Sequence, residues 1–220
     1  MGLTLHWELR LPAHTTPSAV AHTLDALREC ALIQPFVRVS PLGSALSVGD
    51  EAMGVYEALQ HVASIAWTAQ DDDTPALTGD PSSAVGFLVD PGEGCETTFF
   101  ALVQRLHLNG TPADWCWRGF CKTQYASVVS DAHFLACHLT LINLLDDAIH
   151  LGFTVIVHDE GHYWETRDSA RLLSEVGSMN KLVARLAGKF SDAADNSETA
   201  LQAPIFEHPR FERLEMGVDD

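Results

Sequence analysis

Residues 154–170, TVIVHDEGHYWETRDSA, gather His158, His162, Asp159, Glu160, Glu165, Asp168, Tyr163, Trp164 and Arg167 behind a β-branched run. Upstream, WCWRGFCKTQYAS adds Trp117, Cys121, Lys122, Gln124 and Tyr125. Three chemistries can be built from these residue types. Imidazole and carboxylate suit zinc or iron, so His158 and His162 with Asp159, Glu160 or Glu165 form one ligand set. His-x3-His, however, fixes two ligands on one helix face and does so less well across a tight hairpin. No third histidine stands at a suggestive spacing, so no metal is favoured and no cofactor is nominated. Cys121 beside Lys122 is a second option, a nucleophile with a lowered pKa, although a mid-strand cysteine more often packs as core. The third is recognition: Trp117, Tyr125, Tyr163 and Trp164 serve as flat apolar walls, and Lys122, Gln124, Glu165 and Arg167 fix the orientation of a ligand.

The elements that must position these groups follow from periodicity. LTLHWELRL alternates as a half-buried strand, and Thr16 with Pro17 opens a helix whose core stripe is Val20, Leu24, Leu27 and Ala31. PFVRVSPLGSALSV reads as two short strands about a turn. Asp50 caps a short helix through Leu59, and VASIAWTA reads as a further strand. AVGFLVDPG and TTFFALVQRLHL flank the glycine turn PGEGCE. No GK[ST] follows those glycines, and Glu93 and Glu96 would repel an anion, so a plain turn is the better reading than a phosphate cradle. WCWRGFCKTQYAS reads as a strand, Asp131 as the cap of a helix with Phe134, His138, Leu141, Leu145 and Ile149 along one side, and FTVIVHDEGHYWET as a hairpin. His133 and His138 are too poorly spaced on that helix to share a ligand, and His138 is expected as a satisfied core histidine. Asp168 or Ser169 starts a last amphipathic helix.

Both halves thus read β-α-β-β-α, and Val37, Val39, Gly43, Asp50 and Ala52 align without a gap with Val155, Val157, Gly161, Asp168 and Ala170. The expected fold is therefore α+β: two ferredoxin-like halves related by internal duplication, with antiparallel sheets and helices on one face. The expected boundaries are 1–69 for the N-terminal half, 70–84 for a linker or long loop, 85–190 for the C-terminal half with the extra hairpin, and 191–220 for an acidic tail. The first copy carries small neutral residues where the second carries the chemistry-bearing set.

Composition narrows the partners. With 220 residues, 46% of them hydrophobic, the chain can bury a substantial core. A formal charge of -17 opposes binding to nucleic acid or to anionic lipid. Cys30, Cys95, Cys116, Cys121 and Cys137 form neither a disulfide framework nor a CxxC pattern, which fits a reducing cytoplasm. MGLTLHWELR lacks the apolar run of a signal peptide, and no later run is long enough to span a bilayer, so a soluble, unexported protein is expected.

At FCKTQYAS and DEGHYWETRD the chain resembles an uncharacterised bacterial protein family carrying similar FCKTQYAS and DEG-x-aromatic-WE-x-RD stretches. The likeness spans about residues 85 to 190 and carries no assigned activity. It implies that Lys122, Gln124, Tyr125, Glu160, Trp164, Glu165, Arg167 and Asp168 belong to the family's signature. With Tyr163, all of these except Asp168 are the nominated ligand-binding residues. The functional expectation is a protein that binds a small molecule or peptide in an aromatic and polar pocket of the C-terminal half, with homo-oligomerisation open. The alternatives are a hydrolase-type or metal-dependent enzyme using His158, His162 and carboxylates, and an inhibitor-like or immunity-like protein-interaction module.

Overall fold

A computed structural model describes residues 3–44, 49–66, 82–194, 204–209 and 211–216. Strand β1 (Thr4–Leu11) leads into helix α1 (Pro17–Leu32), the two-residue strands β2 (Arg38–Val39) and β3 (Gly43–Ser44), and helix α2 (Asp50–Ala66). Strands β4 (Ser83–Asp90), β5 (Thr98–Gln104) and β6 (Trp115–Lys122) follow, then a 3₁₀ turn over Gln124–Val128 and helix α3 (Asp131–His150). Strand β7 (Thr154–Asp159), a single helical turn α4 (Tyr163–Thr166) and the long helix α5 (Ser169–Ala194) complete the main body. A 3₁₀ turn at Pro204–Glu207 and helix α6 (Phe211–Met216) lie against α5.

The predicted caps at both ends of this order hold. Thr16 Oγ1 accepts from Ala19 N at 3.3 Å, and Asp168 Oδ1 accepts from Ala170 N at 2.9 Å, each satisfying an otherwise orphaned first-turn amide. For α3 the cap is Ser130, one residue before the expected Asp131, because its hydroxyl reaches His133 N at 3.0 Å. The expected strand over VASIAWTA is instead the end of α2 as far as Ala66. Val55, Leu59 and Ala63 recur every fourth residue and are buried, so helical burial continues beyond Leu59. The rest of that segment and most of the expected linker lie outside the described residues.

The α+β, antiparallel character is as expected, but the strands form one seven-stranded sheet in the order β2-β4-β5-β6-β1-β7, with β3 also on β4. Strand β1 lies between β6 and β7, pairing Trp7 with Gly119 on one side and with Val157 on the other. The expected hairpin over 154–170 is a strand followed by a helical turn. Its proposed twin is two short strands that both pair with β4. The duplication and the ferredoxin-like halves are thus not confirmed, since equal hydrophobic spacing led to different pairings.

Helices cover both faces, not one. On the first, α1 and α3 cover Leu5, Trp7, Leu9, Phe87, Phe100 and Cys121. Trp7 stacks on Phe100 at 5.0 Å, and its indole occupies the space that a Cβ on Gly119 would need, approaching to 2.5 Å. On the second face, Val55, Leu59 and Ala63 of α2 pack on Ala84, Phe99, Ala101 and Val103. Gly43 lets α2 come this close: a Cβ there would stand 2.6 Å from Tyr56 N. Helix α2 covers β3, β4 and β5, whereas the outward residues His6, Arg10, Arg118, Phe120, Ile156 and His158 of β1, β6 and β7 are exposed.

Candidate functional site

The polar stretch after β7 is organised by one buried carboxylate. Asp159 is 1% exposed and accepts the amides of Gly161 and Tyr163 at 2.8 Å each and of Trp164 at 2.9 Å. His138 Nε2 lies 3.3 Å from Asp159 Oδ2, and His138 Nδ1 lies 3.0 Å from Thr123 Oγ1. Burial pushes the Asp159 carboxyl up, but the His138 hydrogen bond and charge and the Trp164 and Gly161 amides outweigh it, so the group sits below the ordinary carboxylate range. Hydroxyl, imidazole and carboxylate in line match the parts of a nucleophile relay. Here Thr123 and His138 are 0% exposed, and the row ties the end of β6 to α3 and β7. His138 is the satisfied core histidine that its place in the apolar stripe predicts.

Around this hub the nominated residues take separate places. The strand expected to run through Gln124 stops at Lys122, and Gln124 turns inward. Its side-chain oxygen accepts Leu3 N at 3.0 Å and its amide donates to Asn180 at 2.9 Å. Tyr125 packs beside Ala184, Ala187, Ile205 and Leu214. Glu160 Oε2 accepts Thr4 N at 2.8 Å, closing the end of the β1–β7 ladder. Tyr163 and Trp164 are half-buried against the main core, and the Arg167 guanidinium lies 4.6 Å from the Trp164 ring. Arg167 also donates to both Asp146 oxygens, at 2.7 and 2.8 Å, fastening α4 to α3. Glu165 faces solvent. His162 and Arg167 have φ of 56° and 53°, a left-handed conformation that is costly for both residue types. Strand alternation therefore does not sort residues 162–167 into two sides, as a hairpin would have required.

Of the enzymatic alternatives, the Cys121 thiol is 0% exposed and donates to Glu96 O at 3.1 Å; burial first and the Glu96 charge second push it up, away from a thiolate. His158 points out from β7, its ring centroid 6.2 Å from that of His6, whereas His162 caps α4 beyond the end of the strand. Among the described residues no group of three or more His, Cys, Asp or Glu side chains is arranged to hold a metal ion.

Lys122 and His158 do share a surface, the open face of β6, β1 and β7. Register places Phe120, His6 and His158 in one row and Arg118, Glu8 and Ile156 in the next. Phe120 is 55% exposed and Ile156 53%, and the His6 and Phe120 ring centroids are 6.1 Å apart. Arg118 Nε donates to Glu8 at 3.1 Å, and Arg10 bonds the other oxygen of the same carboxylate. Lys122 Nζ stands 4.0 Å from Glu96 at the rim. In a chain of formal charge -17, this surface combines Arg10, Arg118 and Lys122 with Glu8 and Glu96. The sequence signal for it was the outward set of two strands: His6, Glu8 and Arg10 in LTLHWELRL, and Phe120 among polar neighbours in WCWRGFCK.

Strand β7 is also the last in the sheet, with β1 as its sole strand partner among the described residues. Glu160 N donates to Thr4 O at 3.3 Å, so the even-numbered residues of β7 bond to β1. Val155 and Val157 then turn their N–H and C=O groups to the free edge. No helix among the described residues is long and apolar enough to cross a membrane. No family model, no curated protein and no solved structure matches this chain, so its site has to be read from its own geometry.

Proposed function

We propose that this protein is a binding module that takes an extended peptide segment, from a partner protein, along the outer edge of β7 and over the open face beside it. The observation that carries the reading is the exposure of Phe120 and Ile156, 55% and 53%, on a sheet face that ends in β7, whose outer edge has no strand partner among the described residues. Exposed large apolar groups set among polar ones mark contact surfaces, and a free edge offers main-chain hydrogen bonds to any extended chain of the right register. Backbone pairing supplies affinity without regard to sequence. Specificity comes from alternate side chains of the peptide, which would lie over Ile156 and His158 of the edge strand, and from any part of the segment that crosses the open face to Phe120, two strands further in, with Arg118, Lys122 and Glu160 at the margins.

The reading keeps the peptide half of the sequence expectation and moves the site from a pocket to a surface. It also fits the interaction-module alternative. The hydrolase and metal alternatives have less to support them: Thr123, His138 and Asp159 are buried, and among the described residues no group of three or more His, Cys, Asp or Glu side chains is arranged to hold a metal ion. Selection from a displayed library of random peptides tests the proposal. Enriched peptides should share an alternating apolar pattern and bind at least about tenfold more weakly to Ile156→Asp and Phe120→Asp, a change of about 1.4 kcal/mol. Selected peptides that bind both variants as well as the parent, or a library that yields no enrichment, would overturn it.

A further inference from the structure

A second cluster of chemistry lies where α3 meets the loop between β4 and β5. His133 and Cys137 are four apart on α3 and so share one helix face, with Cys137 Sγ 3.6 Å from His133 Nε2. The loop PGEGCE, between β4 and β5, closes over them. Gly92 passes so near that a Cβ there would lie 3.0 Å from Cys137 Sγ and 3.1 Å from His133 Cε1. His133 Nε2 is 2.9 Å from Glu93 O, and since a carbonyl only accepts, Nε2 carries the proton and presents it to the sulfur as well. The same loop folds Cys95 back on Gly92, its N–H donating to Gly92 O at 3.0 Å, and packs it against the cluster that contains Cys137. Cys137 is 2% exposed, while Cys95 is only partly covered.

We infer that Cys137 and Cys95, with His133 as proton partner, form an oxidation site that a hydroperoxide converts to a disulfide. The Cys137 thiolate attacks the peroxide oxygen: an S–O bond forms, the O–O bond breaks, and the departing oxygen takes the His133 Nε2 proton. The Cys95 thiol then attacks the sulfenic sulfur, the S–S bond forms, and the expelled hydroxide leaves as water with the Cys95 proton. Two thiols are oxidised by two electrons and one hydroperoxide is reduced, so no further reactant is needed. The electrostatics of the two thiols fit these roles. Cys137 is lowered to about 7, chiefly by the Cys95 hydrogen bond and then, against burial, by the His133 charge; Asp90 opposes this weakly. Cys95 is pushed up by the same hydrogen bond, by burial and by the Cys137 charge, as suits the thiol that retains its proton. Besides burial and Asp90, the Pro91 carbonyl works the other way: it accepts from Cys137 Sγ at 3.3 Å and favours the protonated form.

The site is independent of the peptide surface. It touches that surface only through Glu96, next to Cys95 in sequence and the ion-pair partner of Lys122. Hydrogen peroxide added to the folded protein, quenched with a thiol-alkylating reagent and followed by peptide mass mapping, tests it. The expected product is a Cys95–Cys137 cross-linked peptide that appears before Cys30, Cys116 or Cys121 is oxidised. In Cys95→Ser the expected product is one added oxygen on Cys137. His133→Asn should slow both reactions roughly tenfold, the order expected when a thiolate loses a charged partner. Diamide should still close the disulfide in His133→Asn if that variant folds normally. Oxidation of Cys30 or Cys116 ahead of the pair, a Cys137 that gains no oxygen in Cys95→Ser, or an unchanged rate in His133→Asn would each overturn the inference.

Discussion

Replacing Asp159 with Asn tests the account of the polar stretch at its centre. Four donors converge on this buried carboxylate: the amides of Gly161, Tyr163 and Trp164 at 2.8, 2.8 and 2.9 Å, and His138 Nε2 at 3.3 Å. An Asn side chain has the right shape but only one acceptor oxygen. In its better orientation that oxygen keeps the Tyr163 and Trp164 amides, and the NH₂ group is set against the Gly161 N–H. One buried amide left without a partner costs about 1–3 kcal/mol, and the remaining bonds lose their charge assistance. A total of about 3–5 kcal/mol follows, the scale of breaking a buried ionic contact. Urea denaturation followed by circular dichroism at a series of pH values measures it. Because the carboxyl is depressed in the folded state, its contribution is complete above the ordinary carboxylate range and disappears as pH falls through the folded value. The gap between parent and Asp159→Asn should thus be full at neutral pH and narrow in acid. A neutral-pH gap under about 1 kcal/mol, or one of constant size down to the lowest pH at which both fold, would refute the assignment of Asp159 as the hub.

Three further outcomes are expected. The Phe120→Asp and Ile156→Asp variants, used above to test peptide binding, should change unfolding free energy by no more than about 0.5 kcal/mol, since both side chains stand in solvent; a large loss would show that the face is covered in the folded protein. His162→Gly should stabilise by about 1 kcal/mol by relieving a left-handed backbone at φ 56°, as read from the thermal midpoint, and a lowered midpoint would mean the imidazole makes contacts that outweigh the strain. Gly119→Ala should destabilise by about 1–3 kcal/mol, because the new Cβ would sit 2.5 Å from the Trp7 indole; an unchanged denaturation midpoint would contradict the packing of Trp7 on Phe100.

Local structure was legible where a local cause sets it. Thr16 and Pro17 open α1, Asp168 caps α5, and Leu5, Trp7 and Leu9 share the buried side of β1, all as periodicity and capping chemistry require. The sheet order was not legible, because nothing in LTLHWELRL says that its partners are WCWRGFCK and TVIVHD rather than the strands next in sequence. The hairpin over residues 154–170 failed for a definite reason: Asp159 bonds amides two, four and five residues ahead of it, which bends the chain into a helical turn where a returning strand was expected. Gln124 went astray because the FCKTQYAS strand ends at Lys122 and the next residues coil inward. His133 and Cys137 carried a visible four-residue spacing. Only the tertiary fold, however, brings Cys95 to meet them.

The central place of β1 shapes the route to the folded state. Its neighbours on both sides come from far along the chain, Leu5 meeting Cys121 and Asp159. Closing such long loops is entropically slow, so the acquisition of structure should be governed by these distant encounters more than by helix formation. During synthesis the first strand emerges from the ribosome long before either flank exists, so its Leu and Trp side chains stay uncovered until residues 115–159 follow. A nascent chain arrested before residue 159 would remain a sheet with a missing border.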